Sequence, residues 1–282
     1  MSNNPSSTII TERVDDIPLL LQQLEQMGVP QLLDTHFPTH GNWDGLSLGW
    51  TATIWLVYIL SQADHRLNHV QDWVAQHLET LKTCIGLPIR ELNFTDDRLS
   101  AILRRLNEEE PWQTYEQNQG KLMIRVYDLS TKHVRLDTTT ASTYQVPRLD
   151  GLFQQGHSKD HRPDLGQVKI MLATLDPLGL PLATEVVEGQ RADDPLYEPT
   201  IEQVRTTLNR SGILYVGDSK MAAEATRASI ANNNDYYLMP LPGTIVSTEV
   251  LDTYLEPVLE ENQTLTDIYR DLALKAKNCR RI

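Results

Sequence analysis

The hydrophobic pattern of the chain changes near residue 120, and this change limits the fold more than any other feature of the sequence. Between residues 12 and 118, apolar residues recur at three- and four-residue steps, which is typical of helices. After Gly120 come short segments rich in β-branched residues, which is typical of strands. The sequence therefore predicts a flexible arm over 1–11, a helical N-terminal domain over 12–118 and a sheet-containing domain over 119–282.

Four segments of the first region have the composition of packed helices. The run LSLGWTATIWLVYIL is apolar nearly all round, so it predicts a buried central helix. IPLLLQQLEQM places its leucines on one helical face and ends before Gly28 and Pro30. HVQDWVAQHLETLKTCI continues to Gly86, and TDDRLSAILRRLNEEE begins with Thr95 and Asp96, a pair suited to capping. These segments predict four or five helices.

The second region predicts the element order β-β-β-α-β-α-β. Strand-like composition begins in KLMIRVYDLS and continues in TKHVRLD, GQVKIMLATLD and LPLATEVVEG, the last two joined by the turn sequence Asp176-Pro177-Leu178-Gly179. Then come a helix (YEPTIEQVRTTLNRSG), a strand (GILYVGD), a helix (SKMAAEATRASIANNN) and a strand (DYYLMPLP). Three antiparallel strands followed by a helix and parallel strands form the ribonuclease-H-like arrangement, whereas a Rossmann sheet alternates from the start. The predicted fold class is therefore an all-α region followed by a ribonuclease-H-like mixed sheet.

Two aspartates end strands of this predicted sheet. Asp137 ends TKHVRLD, and Asp218 ends GILYVGD 81 residues later. In this topology the two strands can be neighbours, and two adjacent carboxylates repel one another unless a divalent cation lies between them. A pair of Mg²⁺ or Mn²⁺ ions there would activate water or a 3′-hydroxyl for in-line attack on a phosphodiester. The structural alternative is that Asp137 forms a turn and Asp218 caps a helix.

A basic segment, GHSKDHRPDLGQVK, lies just before the second strand. It concentrates Lys159, His161, Arg162 and Lys169 in an otherwise acidic chain. Such residues bind phosphates or orient a DNA end. The alternative is a solvated loop with internal ion pairs. A zinc site is not indicated, because no Cys or Glu completes a ligand set around the two histidines of the segment.

The overall composition limits partners and location. A formal net charge of −13 weighs against a nucleic-acid partner, but binding depends on a local patch, and a metal site must itself be acidic. No stretch is as long and apolar as a membrane span, and the N-terminus does not resemble a signal peptide, so we expect a cytoplasmic protein without a membrane partner. Cys84 and Cys279 form neither a disulfide framework nor a zinc pattern.

Several runs of the sequence resemble one family of enzymes. VRLDTTTAS, GHSKDHRPDLGQVKIML, GQRADD and YVGDSKM are similar to transposases of the IS1634 group within the IS4-like DDE class, and the helical part resembles the small domain that precedes their catalytic domain. The resemblance implies a ribonuclease-H-like core that cuts and joins DNA at transposon ends. It also implies that Asp137 and Asp218 are the first and second catalytic, metal-binding acids.

One departure from the family concerns the third acid. In the family this acid is a Glu within a Tyr…Arg…Glu…Lys signature on a late helix, and the final stretch LALKAKNCRRI has no such signature. We therefore expect a catalytic domain that is truncated at its C-terminus and that is inactive or nearly so. None of the glutamates that follow the last predicted strand is assigned to this role: Glu249, Glu256, Glu260 and Glu261.

The resemblance also implies the partners. These are DNA, as terminal inverted repeats and target, and a second copy of the chain or a mixed oligomer with full-length transposase. An alternative function is a non-catalytic DNA-binding or dimerising fragment that inhibits full-length transposase. A third is a structure-specific nuclease of the same fold.

Overall fold

The computed structural model describes residues 11–148, 151–156, 161–240, 242–243, 246–263, 266–268 and 279–281. The chain begins with helices and continues with a mixed sheet that has further helices packed on it. This is the predicted fold class, and it is confirmed. No helix in the part of the chain that the structure describes is both long and apolar enough to cross a membrane.

The helical region contains seven helices in the described residues. They are α1 (Ile17–Gln26), α2 (Val29–His36), α3 (Leu48–Gln62), α4 (Val70–Gln76), α5 (Leu78–Ile85), α6 (Asp96–Leu106) and α7 (Glu109–Val126). At the start of α3 the Ser47 hydroxyl accepts a hydrogen bond from the Trp50 amide. At the start of α6 the Thr95 hydroxyl accepts one from the Arg98 amide. The capping predicted at Thr95 is therefore present.

Helix α3 lies at the centre of this region, as its composition predicts. Leu48, Ile54 and Val57 are fully buried in a cluster to which the surrounding helices contribute. Gly49 of α3 lies so close to the backbone carbonyl of Pro30 in α2 that a Cβ atom there would overlap it. This close approach lets α2 and α3 pack with their backbones nearly in contact.

The second region is built on a five-stranded sheet. Its strands are β1 (His133–Thr143), β2 (Gly166–Leu175), β3 (Leu180–Glu188), β4 (Leu214–Val216) and β5 (Tyr236–Leu238), in the spatial order β3-β2-β1-β4-β5. Strands β1, β2 and β3 are antiparallel neighbours, whereas β4 runs parallel to β1 and to β5. This is the predicted three-stranded meander followed by parallel strands.

Helices connect the later strands. Helix α8 (Tyr197–Leu208) joins β3 to β4, and α9 (Glu224–Asn232) joins β4 to β5. Helix α10 (Thr248–Leu259) follows, and two short strands, β6 (Thr266–Ile268) and β7 (Cys279–Arg281), pair with one another.

The two faces of the large sheet differ. Side chains of one face, among them Val134, Leu136 and Tyr215, are buried in a cluster with α8. Side chains of the opposite face alternate with these, and on it Arg135 and Asp137 of β1 are exposed. The first face is therefore a closed core, whereas the second is partly open at β1.

Helix α7 corrects one expectation. The segment KLMIRVYDLS was expected to be strand-like, but α7 continues through it to Val126. The physical reason is packing, because Gly120 lies against Leu182 of β3 and Thr207 of α8, and Met123 is buried. The predicted domain boundary between residues 118 and 119 therefore falls inside a continuous helix, and the division into domains stays a prediction.

Candidate active site

Strand pairing brings the two predicted acids to the same level of the sheet. Strands β1 and β4 are parallel neighbours, and their last aligned pair is Arg135 with Val216. Asp137 and Asp218 each come two residues later. Neighbouring strands are about 4.8 Å apart, so the two acids follow adjacent points of the sheet. Both residues are exposed.

The carboxylate of Asp218 is held through one of its oxygens. Its Oδ1 accepts hydrogen bonds from the Tyr197 hydroxyl at 2.7 Å and from the Lys220 backbone amide at 2.9 Å. The second bond caps a short helical turn over Ser219–Ala222, so the structural role foreseen for Asp218 is present. No donor in the described part of the chain bonds to Oδ2, which leaves this oxygen for another ligand. The capping bond and the bond from Tyr197 therefore use the same oxygen of Asp218.

Asp137 lies within the long first strand, which continues to Thr143, so the prediction that it ends a strand and the alternative that it forms a turn are both wrong. It alternates with the buried residues Leu136 and Thr138, so its side chain is on the open face of the sheet. Its Oδ1 accepts the backbone amide of Thr138 at 2.8 Å. The backbone around Asp137 is fixed by pairing with β2 on one side, where its partner is Leu172.

Tyr197, which sequence reasoning did not single out, connects the two acids electrostatically. It is fully buried at the start of α8, and its hydroxyl donates to Asp218. Burial, the hydrogen bond to Asp218, and the charges of Asp218, Asp137 and Asp193 raise the pKa of Tyr197 far above its usual range. The hydroxyl therefore keeps its proton and remains a donor. The charges of three aspartates thus act on one buried tyrosine.

Lys169 does not lie in an exposed basic loop, which corrects that expectation. Strand β2 begins at Gly166, and Lys169 points to the same face as Met171 and is only 6% exposed. Its ammonium pairs with Asp193 and donates to the backbone carbonyl of Arg191. Lys169 therefore holds the segment that leads from β3 into α8, and we assign it no direct contact with a phosphate.

The other basic residues of that segment have different positions. Lys159 lies outside the described residues. His161 is exposed, with a backbone φ of 57°, and Arg162 is exposed and paired with Asp164 at 2.7 Å. The internal Arg–Asp pair foreseen as the structural alternative is therefore present, while His161 and Arg162 are accessible from solvent.

Two glycines, Gly156 and Gly189, let two distant segments of the chain approach one another closely. Gly156 lies against the carbonyl of Gly189, and Gly189 lies against the carbonyl of Gln167, so a Cβ atom at either glycine would overlap backbone. Gln154 and Gln167 also exchange backbone hydrogen bonds at 3.0 and 2.9 Å. Gly156 and Gly189 thus meet beside β2 because neither has a side chain at the point of contact. Close approach of this kind was not predictable from composition.

The chemistry of the two acids fits a divalent ion with oxygen ligands. Mg²⁺ is commonly bound by one or two carboxylates, with water and substrate phosphates completing its shell. Asp137 and Asp218 supply two such carboxylates at adjacent strands. Among the described residues, no group of three His, Cys, Asp or Glu side chains is arranged to hold a metal. The described site therefore offers a two-carboxylate ligand set.

Comparisons with known proteins give weak similarities. No protein-family model matches the sequence, and no similar curated protein is found. The piggyBac transposase in a synaptic complex with hairpin DNA is 11% identical with a TM-score of 0.37, over 90% of this chain and 56% of that one. The chain thus spans 56% of the length of that transposase.

Two structures of Mos1 transposase are also similar. A paired-end complex with the left transposon end is 10% identical, with a TM-score of 0.28, over 89% of this chain and 90% of that one. The mariner paired-end complex with Mn is 11% identical, with a TM-score of 0.28, over 89% and 91%. Similarity of this size does not establish a common function, so the function must be inferred from the site itself.

Proposed function

We propose that this chain belongs to a DNA transposase of the IS1634 group within the IS4-like DDE class, with Asp137 and Asp218 as its first two catalytic, metal-binding acids. The observation that supports this proposal most directly is the register of β1 and β4, in which Asp137 and Asp218 each follow two residues after the last aligned pair. The strand order β3-β2-β1-β4-β5 supports it further, because it is the ribonuclease-H-like arrangement that the resemblance implies.

The residues present determine what the site can do. Asp137 and Asp218 would hold Mg²⁺ or Mn²⁺, and the bound ions would activate the attacking oxygen and stabilise the leaving oxygen of a phosphodiester. Tyr197 and the Lys220 amide hold Oδ1 of Asp218, so that its other oxygen is presented at a fixed angle. The exposure of both acids leaves room for a DNA strand, which a closed pocket would exclude.

Contacts to DNA have to come from local basic residues, since the chain has a net charge of −13. We propose His161 and Arg162, together with Lys159, as contacts to the DNA end. His161 and Arg162 are exposed, and the Arg162 guanidinium can exchange Asp164 for a phosphate, which it binds with the same two-pronged geometry. Lys169 would act indirectly, through the segment that it anchors.

The third acid decides how much cleavage the chain performs. The sequence has no Tyr…Arg…Glu…Lys signature. We therefore propose that these residues by themselves bind metal and transposon ends but cleave poorly. In a homodimer, or in a mixed oligomer with full-length transposase, binding without cleavage would make the chain an inhibitor.

Binding and cleavage are tested together on the DNA that flanks the coding sequence, where the inverted repeats lie. We expect the protein to shift flanking DNA in preference to scrambled DNA of equal length in a gel assay with Mn²⁺. The preference should weaken with rising salt, since phosphate contacts release counterions. Arg162→Ala should reduce binding, whereas Arg104→Ala, a change of another arginine far from the site in sequence, should not.

Cleavage is measured on a supercoiled plasmid that carries the same ends. We expect little or no end cleavage by the chain with Mn²⁺. Efficient cleavage that Asp137→Ala abolishes, but that Asp252→Ala on the exposed helix α10 does not, would show that the chain is active. Equal binding to flanking and scrambled DNA, together with no end-specific cleavage under any condition, would contradict the transposase assignment.

A further inference from the structure

We propose that Tyr197 is a positioning residue that fixes the metal-binding orientation of Asp218. This inference rests on the proposed metal site. Its starting point is the hydrogen bond of 2.7 Å from the Tyr197 hydroxyl to Oδ1 of Asp218. Tyr197 is fully buried and Asp218 is exposed, so a side chain anchored in the core reaches a residue at the surface.

Asp218 needs such an anchor because its own strand does not hold it. Strand β4 is only three residues long and ends at Val216, and the Gly217 amide still donates to the Leu238 carbonyl at 3.2 Å, so Asp218 is the first residue beyond the backbone bonds to β5. The Lys220 amide is a donor from the same short turn, two residues along the chain from Asp218. Tyr197 is different, since it belongs to α8, a separate element that packs on β2 and β3.

The start of α8 is fixed independently. Asp193, four residues before Tyr197, forms an ion pair with Lys169, which is 6% exposed on β2. Lys169 also binds the carbonyl of Arg191 in the same segment. The ring of Tyr197 packs in the buried cluster of the sheet. The hydroxyl of Tyr197 is therefore held in place by the sheet before it meets Asp218.

Two donors on one oxygen restrict rotation of the carboxylate. With Oδ1 held by the Tyr197 hydroxyl and the Lys220 amide, the orientation of Oδ2 is set as well. A ligand that is already oriented loses less freedom when it binds a metal. Partners that orient a metal ligand typically contribute about 10- to 100-fold to metal affinity. Removal of the hydroxyl should weaken metal binding without removing a ligand.

The test is a Mn²⁺ titration of the whole chain, in which the electron paramagnetic resonance signal reports free Mn²⁺. Tyr197→Phe keeps the ring and removes the hydroxyl, and we expect its Mn²⁺ affinity to be about ten-fold weaker than that of the wild type. The matched control is Tyr215→Phe. Tyr215 is also fully buried in the same cluster, but the charged groups near its hydroxyl are Asp235, Arg205 and Glu202. Its loss should leave Mn²⁺ affinity unchanged.

A double variant separates positioning from a general effect on folding. If the Tyr197 hydroxyl acts only through Asp218, then Tyr197→Phe should cause no further loss of Mn²⁺ affinity in a chain that already carries Asp218→Asn. Further loss in that background, or an affinity of Tyr197→Phe equal to that of the wild type, would overturn the positioning role. The thermal unfolding midpoint without metal is recorded for each variant. Mn²⁺ affinities are then compared only between variants that are folded at the temperature of the titration.

Failure of the underlying metal site gives a different result. If Asp137→Asn and Asp218→Asn both bind Mn²⁺ as tightly as the wild type, the ion does not use these acids, and both the metal site and the role of Tyr197 are rejected. If these two variants lose affinity and Tyr197→Phe does not, only the role of Tyr197 is rejected.

Discussion

Among the described residues two tyrosine hydroxyls donate to aspartates, one in the helical region and one at the sheet. The two carboxylates differ in which of their oxygens remain without a hydrogen bond. In the helical region the Tyr58 hydroxyl donates to Asp64 at 2.6 Å, and at the sheet the Tyr197 hydroxyl donates to Asp218 at 2.7 Å. Both oxygens of Asp64 also accept hydrogen bonds from the Arg66 guanidinium. Asp64 is thus fully used by its own region, whereas Oδ2 of Asp218 accepts no hydrogen bond from the described residues.

The same contrast extends to the surfaces of the two regions. Helix α3 is apolar on nearly every side and is covered by its neighbours, so that its buried residues include Leu48, Ile54 and Val57. The sheet packs one face against α8, and its other face exposes Asp137. The helical region therefore contributes a closed core, and the sheet presents side chains for chemistry.

The largest change in stability expected at the candidate site comes from the buried pair of Lys169 and Asp193. Lys169→Met keeps the length of the side chain but leaves the carboxylate of Asp193 without its partner. Breaking a buried ion pair costs roughly 3–5 kcal/mol, although the 18% exposure of Asp193 places the loss at the lower end. Urea unfolding measures it. A loss below about 1 kcal/mol, the range of surface pairs, would show that this pair does not anchor α8.

A matched pair of aliphatic truncations tests the difference between closed and open surfaces. Ile54→Ala removes a fully buried side chain from α3 and should cost about 2–5 kcal/mol of unfolding free energy. Val186→Ala, at a position of β3 that is 50% exposed, should change it by about 0.5 kcal/mol or less. Comparable losses in the two variants would mean that the open face of the sheet is covered in solution.

The smallest expected effect concerns Glu116, on the helix shared by both regions. Burial raises the pKa of Glu116, although hydrogen bonds from Thr184 of β3 lower it in part. A carboxyl group with a raised pKa in the folded state favours folding when protonated, so this contribution is present at low pH and is lost as pH rises through the raised value. Glu116→Gln has no carboxyl group to ionise, so its free energy of unfolding should not fall in this way as pH rises.

The unfolding free energy of wild type and Glu116→Gln is compared between pH 4 and pH 8, where the difference should shift in favour of the variant as pH rises. A control is Glu109→Gln, an exposed position in the first turn of the same helix. A constant difference across this range would contradict the raised pKa of Glu116.

Local sequence signals predicted much of the fold. The leucine spacing of α1, the apolar run of α3, the Thr95 cap and the turn between β2 and β3 are each fixed by residues close together in the chain, and all are present. The order of strands and helices then restricted the sheet to the observed topology, in which β1 and β4 are parallel neighbours. Their joint position was predictable because it follows from topology rather than from side-chain packing.

The remaining features depend on contacts between distant segments. Helix α7 continues past Gly120 because β3 and α8 provide a surface for its last turns. Lys169 is buried because its position in β2 directs it toward Asp193. The bond from Tyr197 to Asp218 depends on where α8 lies relative to the end of β4. No pattern within one segment encodes these distances.

The most direct test compares the two tyrosine-bound aspartates by Mn²⁺ titration of the whole chain. We expect Asp218→Asn and Asp137→Asn each to weaken Mn²⁺ binding by more than about ten-fold, since loss of a ligand costs more than loss of a residue that only orients one. Asp64→Asn should bind Mn²⁺ as the wild type does, because Arg66 and Tyr58 already occupy the oxygens of Asp64. Equal affinity in all three variants and the wild type would contradict the assignment of Asp137 and Asp218 as a metal site.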